Sequence, residues 1–180
     1  SVRMRGELVL RFDYGHIVPW VRHDDQGIHA IAGPDAAYLV TEAPLRGERL
    51  RTISDFTVRA GDRVPFVLTW TPSHLDRPRA VDPERVLAST EEFWQHWSAQ
   101  CTVTGPYRSA VQRSLITLKA LTFAPTGGIV AAVTTSLPEE LGGERNWDYR
   151  FCWLRDATLT LQALLAAGYT AEAESWRDWL

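Results

Sequence analysis

The hydrophobic pattern of this chain changes period at Pro72, and that change restricts the possible folds more than any other feature. Before it, β-branched and aromatic residues come in short runs at 7–12, 17–22, 28–32, 36–41, 50–58 and 64–71. Runs of this length and composition read as strands. The joints carry turn chemistry: Asp24-Asp25-Gln26-Gly27, Gly33-Pro34-Asp35 and Ala60-Gly61-Asp62 supply positive-φ positions and side chains that cap their own backbone. Short strands at this spacing predict an antiparallel sandwich. Past Pro72 the chain is first polar and proline-rich, over residues 73–83, and then helical in pattern.

Three helices are expected there, with a fourth at the end. Ser89-Thr90-Glu91-Glu92 is a capping-box pattern ahead of Phe93, Trp94 and Trp97, predicting a helix near 90–97. Val111, Leu115, Leu118 and Thr122 share one face of a helix over 107–123, which Pro125-Thr-Gly-Gly128 ends. A helix over 156–167 is apolar almost all round and stops at Gly168, the pattern of a helix buried in a larger assembly. Thr170 is placed to cap a final helix with Glu172 and Glu174 in its first turn. Its Trp176, Trp179 and Leu180 are expected to face helices outside the chain. Ser1 opens directly onto a strand-like run and Leu180 interrupts a helical one, so both ends read as truncations.

Composition enters as a filter. Of 180 residues, 19 are Lys or Arg and 22 Asp or Glu, mixed along the chain, so nothing presents the basic face a nucleic acid requires. No apolar run reaches the ~20 residues of a membrane-spanning helix, and no membrane partner is expected. The two cysteines, Cys101 and Cys152, lack the paired spacing of a zinc or redox motif. Two free thiols in the cytoplasm are expected, with no metal and no cofactor.

The chemically dense stretch is 134–156. Its last ten residues hold Trp147, Tyr149, Phe151 and Trp153 together with Asp148, Arg150, Arg155 and Asp156, just before a helix start. Aromatic faces suit the C–H side of a pyranose, and charged groups suit its hydroxyls. Each residue also has a plainer reading. The aromatics would anchor a loop, Asp156 would cap the following helix, Arg155 would pair with a nearby acid, and Asn146 and Asp148 would shape turns.

The wording of this stretch decides between them. Gly143-Glu-Arg-Asn-Trp-Asp-Tyr-Arg-Phe-Cys-Trp-Leu-Arg-Asp-Ala157 resembles the signature that opens the catalytic domain of glycoside hydrolase family 15, the glucoamylase and trehalase-like family. The resemblance continues through residues 115–121, Pro125-Thr-Gly-Gly128, residues 134–139 and Arg11-Phe-Asp-Tyr-Gly15. It implies an N-terminal β-sandwich at 1–72, a linker with a helix at 73–104, and the first helices of an (α/α)6 barrel at 105–180. It also implies that Tyr149, Trp153, Arg155 and Asp156 line the pocket for the non-reducing glucosyl unit of an α-glucoside. The family inverts at the anomeric carbon with a carboxylic acid and a carboxylate, and both are expected downstream of residue 180 in the remainder of the catalytic domain. Glu139 and Glu140 precede the signature and Glu144 stands at its start; none matches either catalytic position, so the chain alone is expected to be inactive. The wording is that of the bacterial trehalase-like branch, which leaves α,α-trehalose and α-glucans both open as substrates. Two competing functions are a non-catalytic carbohydrate-binding sandwich and an interaction scaffold built on the tryptophans. The helical extension bearing an Arg-Asp pocket signature counts against both.

Overall fold

A computed structural model describes residues 1–134 and 140–180, which fall into two compact units, Ser1–Leu87 and Ala88–Leu180. The first holds seven strands: β1 (Val2–Leu8), β2 (Trp20–Asp24), β3 (Gly27–Ala32), β4 (Asp35–Val40), β5 (Arg46–Glu48), β6 (Arg51–Val58) and β7 (Val67–Pro72). They form two antiparallel sheets, β1-β6-β5 and β2-β3-β4-β7. Met4, Ser54 and Phe56 from one sheet and Leu39 and Leu68 from the other line a shared cavity of about 410 Å³, as the two inner faces of a sandwich do. Ile28, Ala30 and Leu39 are buried at the centre of the larger sheet.

The strand boundaries follow local chemistry. β2 starts at Trp20 and not at Ile17, because Pro19 has no N–H to give to a ladder; Pro65 likewise delays β7 to Val67. The first strand lies earlier than expected, at Val2–Leu8, and Phe12 pairs instead with Ile17 across a short 3₁₀ turn. Asp24 Oδ1 accepts the Gln26 N–H at 2.9 Å in the β2–β3 turn. Gly27 there is obligatory, since its φ is +144° and an added Cβ would stand 2.0 Å from the Leu39 carbonyl. The β5–β6 hairpin escapes the sequence reading because its two-residue turn is Arg49-Leu50, with φ of 49° and 62°. That is the primed turn geometry that normally selects Asn-Gly.

The second unit is helical, and its first helix corrects an expectation. The helix α1 spans Pro83–Ala99, so Ser89 to Glu92 lies inside it and does not cap it. The start is set by Asp82 and Pro83: Glu84 and Arg85 N–H donate to Asp82 Oδ1 at 3.0 and 3.3 Å, with proline at the first helical position. α2 (Arg108–Ala120), α3 (Leu154–Ala166) and α4 (Ala171–Trp179) follow. Thr170 precedes α4 as expected, but its hydroxyl makes no capping bond. The closed (α/α)6 barrel goes beyond these four helices and remains a proposal.

Trp97, Cys101, Leu115, Leu164, Ala167 and Tyr169 form the main core of this unit. The Trp97 and Tyr169 rings stack at 4.1 Å between centroids. Trp97 Nε1–H donates to Glu172 Oε1 at 2.7 Å, and the Lys119 ammonium lies 3.0 Å from the same oxygen. Glu172 is only 5% exposed. Burial pushes its carboxyl up, but the Trp97 N–H and the Lys119 ammonium outweigh that and hold it below its ordinary value. Tyr169 is pushed up to about 12 by burial, with Cys101 and Glu172 adding to it. Partly buried Trp176 packs against a smaller cluster of Ile129, Ala157 and Leu161. On α3, Ala157, Thr160, Leu161 and Leu164 are buried while Leu159 and Leu165 are exposed, so the helix is half covered.

Two outcomes follow. Replacing Arg49-Leu50 by Asn-Gly relieves two left-handed side chains and should raise the unfolding free energy by about 1–3 kcal/mol, read as a higher thermal midpoint. A depressed carboxyl stabilises the fold above its unfolded value and loses that contribution as pH falls through the folded value. Glu172→Gln should therefore cost about 1–3 kcal/mol at pH 7 and flatten the loss of stability on acidification below the ordinary value of 4.5. Parallel pH profiles for the two proteins would exclude this role for Glu172.

Candidate functional site

The signature segment hangs from the end of α2 by backbone hydrogen bonds. Residues 129–132 return beside 121–123: Phe123 N–H donates to Gly128 O at 2.8 Å and Val130 N–H to Leu121 O at 3.1 Å. The same short stretch then supports the signature from its other side. Ala132 N–H donates to Tyr149 O at 2.8 Å and Ala131 N–H to Phe151 O at 3.1 Å. Gly127, at φ +83°, sits so close to α4 that a Cβ would fall 2.6 Å from the Ser175 carbonyl, which packs the turn below this ladder against the helix.

The entry to the signature is shaped by one main-chain and one side-chain bond. Gly143 N–H donates to Glu140 O at 3.0 Å and Asn146 Nδ2–H to Gly143 O at 2.9 Å, so Asn146 shapes a turn as expected. Asp148 does more than that. Its Oδ1 accepts the Arg150 main-chain N–H at 3.0 Å and Arg150 Nε–H at 3.1 Å, and its Oδ2 accepts Arg150 Nη2–H at 2.8 Å. Its carboxyl lies below the ordinary carboxylate value, through the Arg150 side chain first and the Arg150 N–H second.

The four residues singled out from sequence stand together. The Tyr149 and Trp153 rings are stacked, 5.8 Å apart and 24° from parallel. The Arg155 guanidinium carbon is 6.0 Å from the Trp153 ring centroid. Arg155 Nε–H and Nη2–H both donate to Asp156 Oδ2, at 3.2 and 3.1 Å. Arg155 is largely exposed and Asp156 half-buried. The arrangement is an aromatic platform bordered by a planar donor and a carboxylate acceptor, able to meet one face and several hydroxyls of a pyranose.

Two plain readings are corrected. Asp156 does not cap α3: the helix begins at Leu154, Trp153 takes the cap position with extended backbone, and no side chain bonds the first N–H groups. Asp156 instead lies in the first turn, where a carboxylate complements the helix dipole by ~0.3–1 kcal/mol. Trp147 and Phe151 are not anchors beneath the loop, since both are exposed. Glu140 and Glu144 are exposed on the preceding turn, and Glu139 lies outside the described residues. Among the described residues no three His, Cys, Asp or Glu side chains could hold a metal ion. Cys101 and Cys152 are free. The Asp148–Arg150 clamp was missed from sequence, where an Asp-x-Arg spacing reads only as a turn.

Residues 105–180 match the family described as Glycosyl hydrolases family 15. The chain is similar to a trehalase of Thermoplasma volcanium, 35% identical over 162 residues that cover 90% of this chain and 26% of the relative. It is 33% identical over 175 residues to a trehalase of Thermoplasma acidophilum, covering 97% of this chain and 30% of the relative. A trehalase of Mycobacterium tuberculosis is 42% identical over 122 residues, 66% of this chain and 18% of the relative. The chain thus spans less than a third of the length of these curated relatives. No solved structure matches it significantly.

Because Asp156 forms an exposed ion pair and no capping bond, Asp156→Ala should cost less than about 1.5 kcal/mol of stability. Thermal unfolding of residues 1–180 checks this; a loss well above about 2 kcal/mol would mean that the carboxylate caps α3 after all.

Proposed function

We propose that this chain, whose residues 105–180 match the glycosyl hydrolases of family 15, provides part of the non-reducing glucose pocket of an inverting α-glucoside hydrolase. The observation that carries the reading is the Tyr149–Trp153 stack bordered by the Arg155–Asp156 pair. Tyr149 and Trp153 would cover the apolar face of the glucosyl ring, and Arg155 and Asp156 would exchange their mutual hydrogen bonds for bonds to its hydroxyls. In this reading residues 1–72 belong to a sandwich domain, 73–104 link it onward, and 105–180 begin the barrel whose inner ring includes α3. Relatives named as trehalases make α,α-trehalose the first substrate to test, ahead of maltose and starch.

Inversion needs a carboxylic acid to protonate the leaving oxygen and a carboxylate ~6.5–9.5 Å away to activate water. We assign both to parts of the protein outside residues 1–180. Glu140 and Glu144 are set aside because both are exposed and, by the resemblance, match neither catalytic position. The free thiols of Cys101 and Cys152 favour a cytoplasmic location, and no helix among the described residues is long and apolar enough to cross a membrane.

In the full-length protein, Asp156→Asn keeps the shape but replaces a charged acceptor by a neutral one, a loss of ~1.5–3 kcal/mol. kcat/KM should fall roughly 10- to 150-fold with little change in Tm. Residues 1–180 alone should release no glucose from trehalose or maltose. Unaltered kinetics in Asp156→Asn would remove that residue from the pocket, and turnover by 1–180 that vanishes in Glu140→Gln or Glu144→Gln would relocate the acid/base pair.

A further inference from the structure

We infer that Asp148 is a positioning residue of the pocket, its carboxylate closed on Arg150 to fix the segment that seats Tyr149 against Trp153. This rests on reading Tyr149 and Trp153 as walls of the glucose pocket.

The geometry separates Asp148 from an ordinary turn former. A turn of this kind requires one bond, from the N–H two residues on, which the Arg150 main chain supplies at 3.0 Å. Here the Arg150 side chain also returns to the same carboxylate through two nitrogens, at 3.1 and 2.8 Å. A guanidinium meeting a carboxylate through two donors fixes orientation as well as distance. Residues 148 and 150 are thereby locked to each other around Tyr149. Tyr149 is held from the other side as well, because its carbonyl and that of Phe151 accept the N–H groups of Ala132 and Ala131. The backbone on either side of Tyr149 is fixed, leaving the ring only its side-chain torsions, and these place it 5.8 Å from Trp153. The Arg150 side chain and main-chain N–H hold the Asp148 carboxyl below its ordinary value, as this geometry requires. Its carboxylate is turned onto Arg150, so its effect on the sugar passes through Tyr149.

The test is a double-mutant cycle in the full-length protein with trehalose and maltose: wild type, Asp148→Asn, Tyr149→Ala and both together. Asn retains an acceptor for the turn but loses the charge that holds the guanidinium. Asp148→Asn should lower kcat/KM roughly 5- to 30-fold, mostly through KM, with Tm within a few degrees of wild type. In the Tyr149→Ala background the same change should alter kcat/KM less than about twofold, because the ring through which it acts is gone. Wild-type kinetics in Asp148→Asn, or an undiminished loss in the Tyr149→Ala background, overturns the inference while leaving the pocket intact. Wild-type kinetics in Tyr149→Ala alone overturns the pocket reading, and the inference falls with it. Should Asp148→Asn fail to fold, Arg150→Gln takes its place: it keeps the main-chain bond, and the same rise in KM is expected, an unchanged KM overturning the inference.

Discussion

Glu172 is a charge placed where water hardly reaches, and the helical unit is arranged so that this is tolerable. An unpaired buried carboxylate would be strongly destabilising. The indole N–H of Trp97 on α1 and the ammonium of Lys119 on α2 both close on one oxygen of this α4 residue. Three helices distant in sequence are joined at a single atom. The Trp97 ring then lies flat on Tyr169, which joins α3 to α4, so the fourth helix enters the same knot through packing. Apolar contacts supply most of the cohesion, but they are not directional. The buried bond and ion pair restrict the helices to one relative placement.

The signature segment inherits its order from that placement. α2 ends beside residues 129–132, whose N–H groups hold the carbonyls of Tyr149 and Phe151, and Ile129 packs on Ala157 and Leu161 of α3. The segment is therefore suspended between two helices whose positions the core has already set. Long loops are ordinarily the mobile part of a fold. This one is tied at its entry by turns at Gly143 and Asn146, at its middle by the clamp of Asp148 and Arg150, and at its exit by the start of α3.

Legibility varied with the locality of the cause. Strands β3, β4 and β6 were visible in the alternation of apolar residues, and the glycine turn between β2 and β3 in its composition. β5 was not, because Arg46-Gly47-Glu48 carries no apolar residue and its turn uses Arg49-Leu50 in place of the residues that favour such a conformation. The start of α1 was written in Asp82-Pro83, but the surrounding prolines made it look like linker. In the candidate site, the wording of residues 143–157 selected Tyr149, Trp153, Arg155 and Asp156. Sequence spacing could not reveal that Tyr149 lies on Trp153, or that Asp148 closes on the Arg150 side chain, since both depend on χ angles set by neighbours. The cap assigned to Asp156 failed because α3 gains Leu154 and Arg155 ahead of it.

Arg155 and Asp156 are adjacent residues of opposite charge that satisfy each other. Together they carry no net charge, and a sugar carries none either. In the proposed pocket, exchanging the pair for hydroxyls neither gathers nor releases counter-ions, and beyond a few ångströms the two fields cancel. Such a site gains strong directional hydrogen bonds without long-range attraction, so the capture of sugar would be insensitive to the ionic strength of its surroundings.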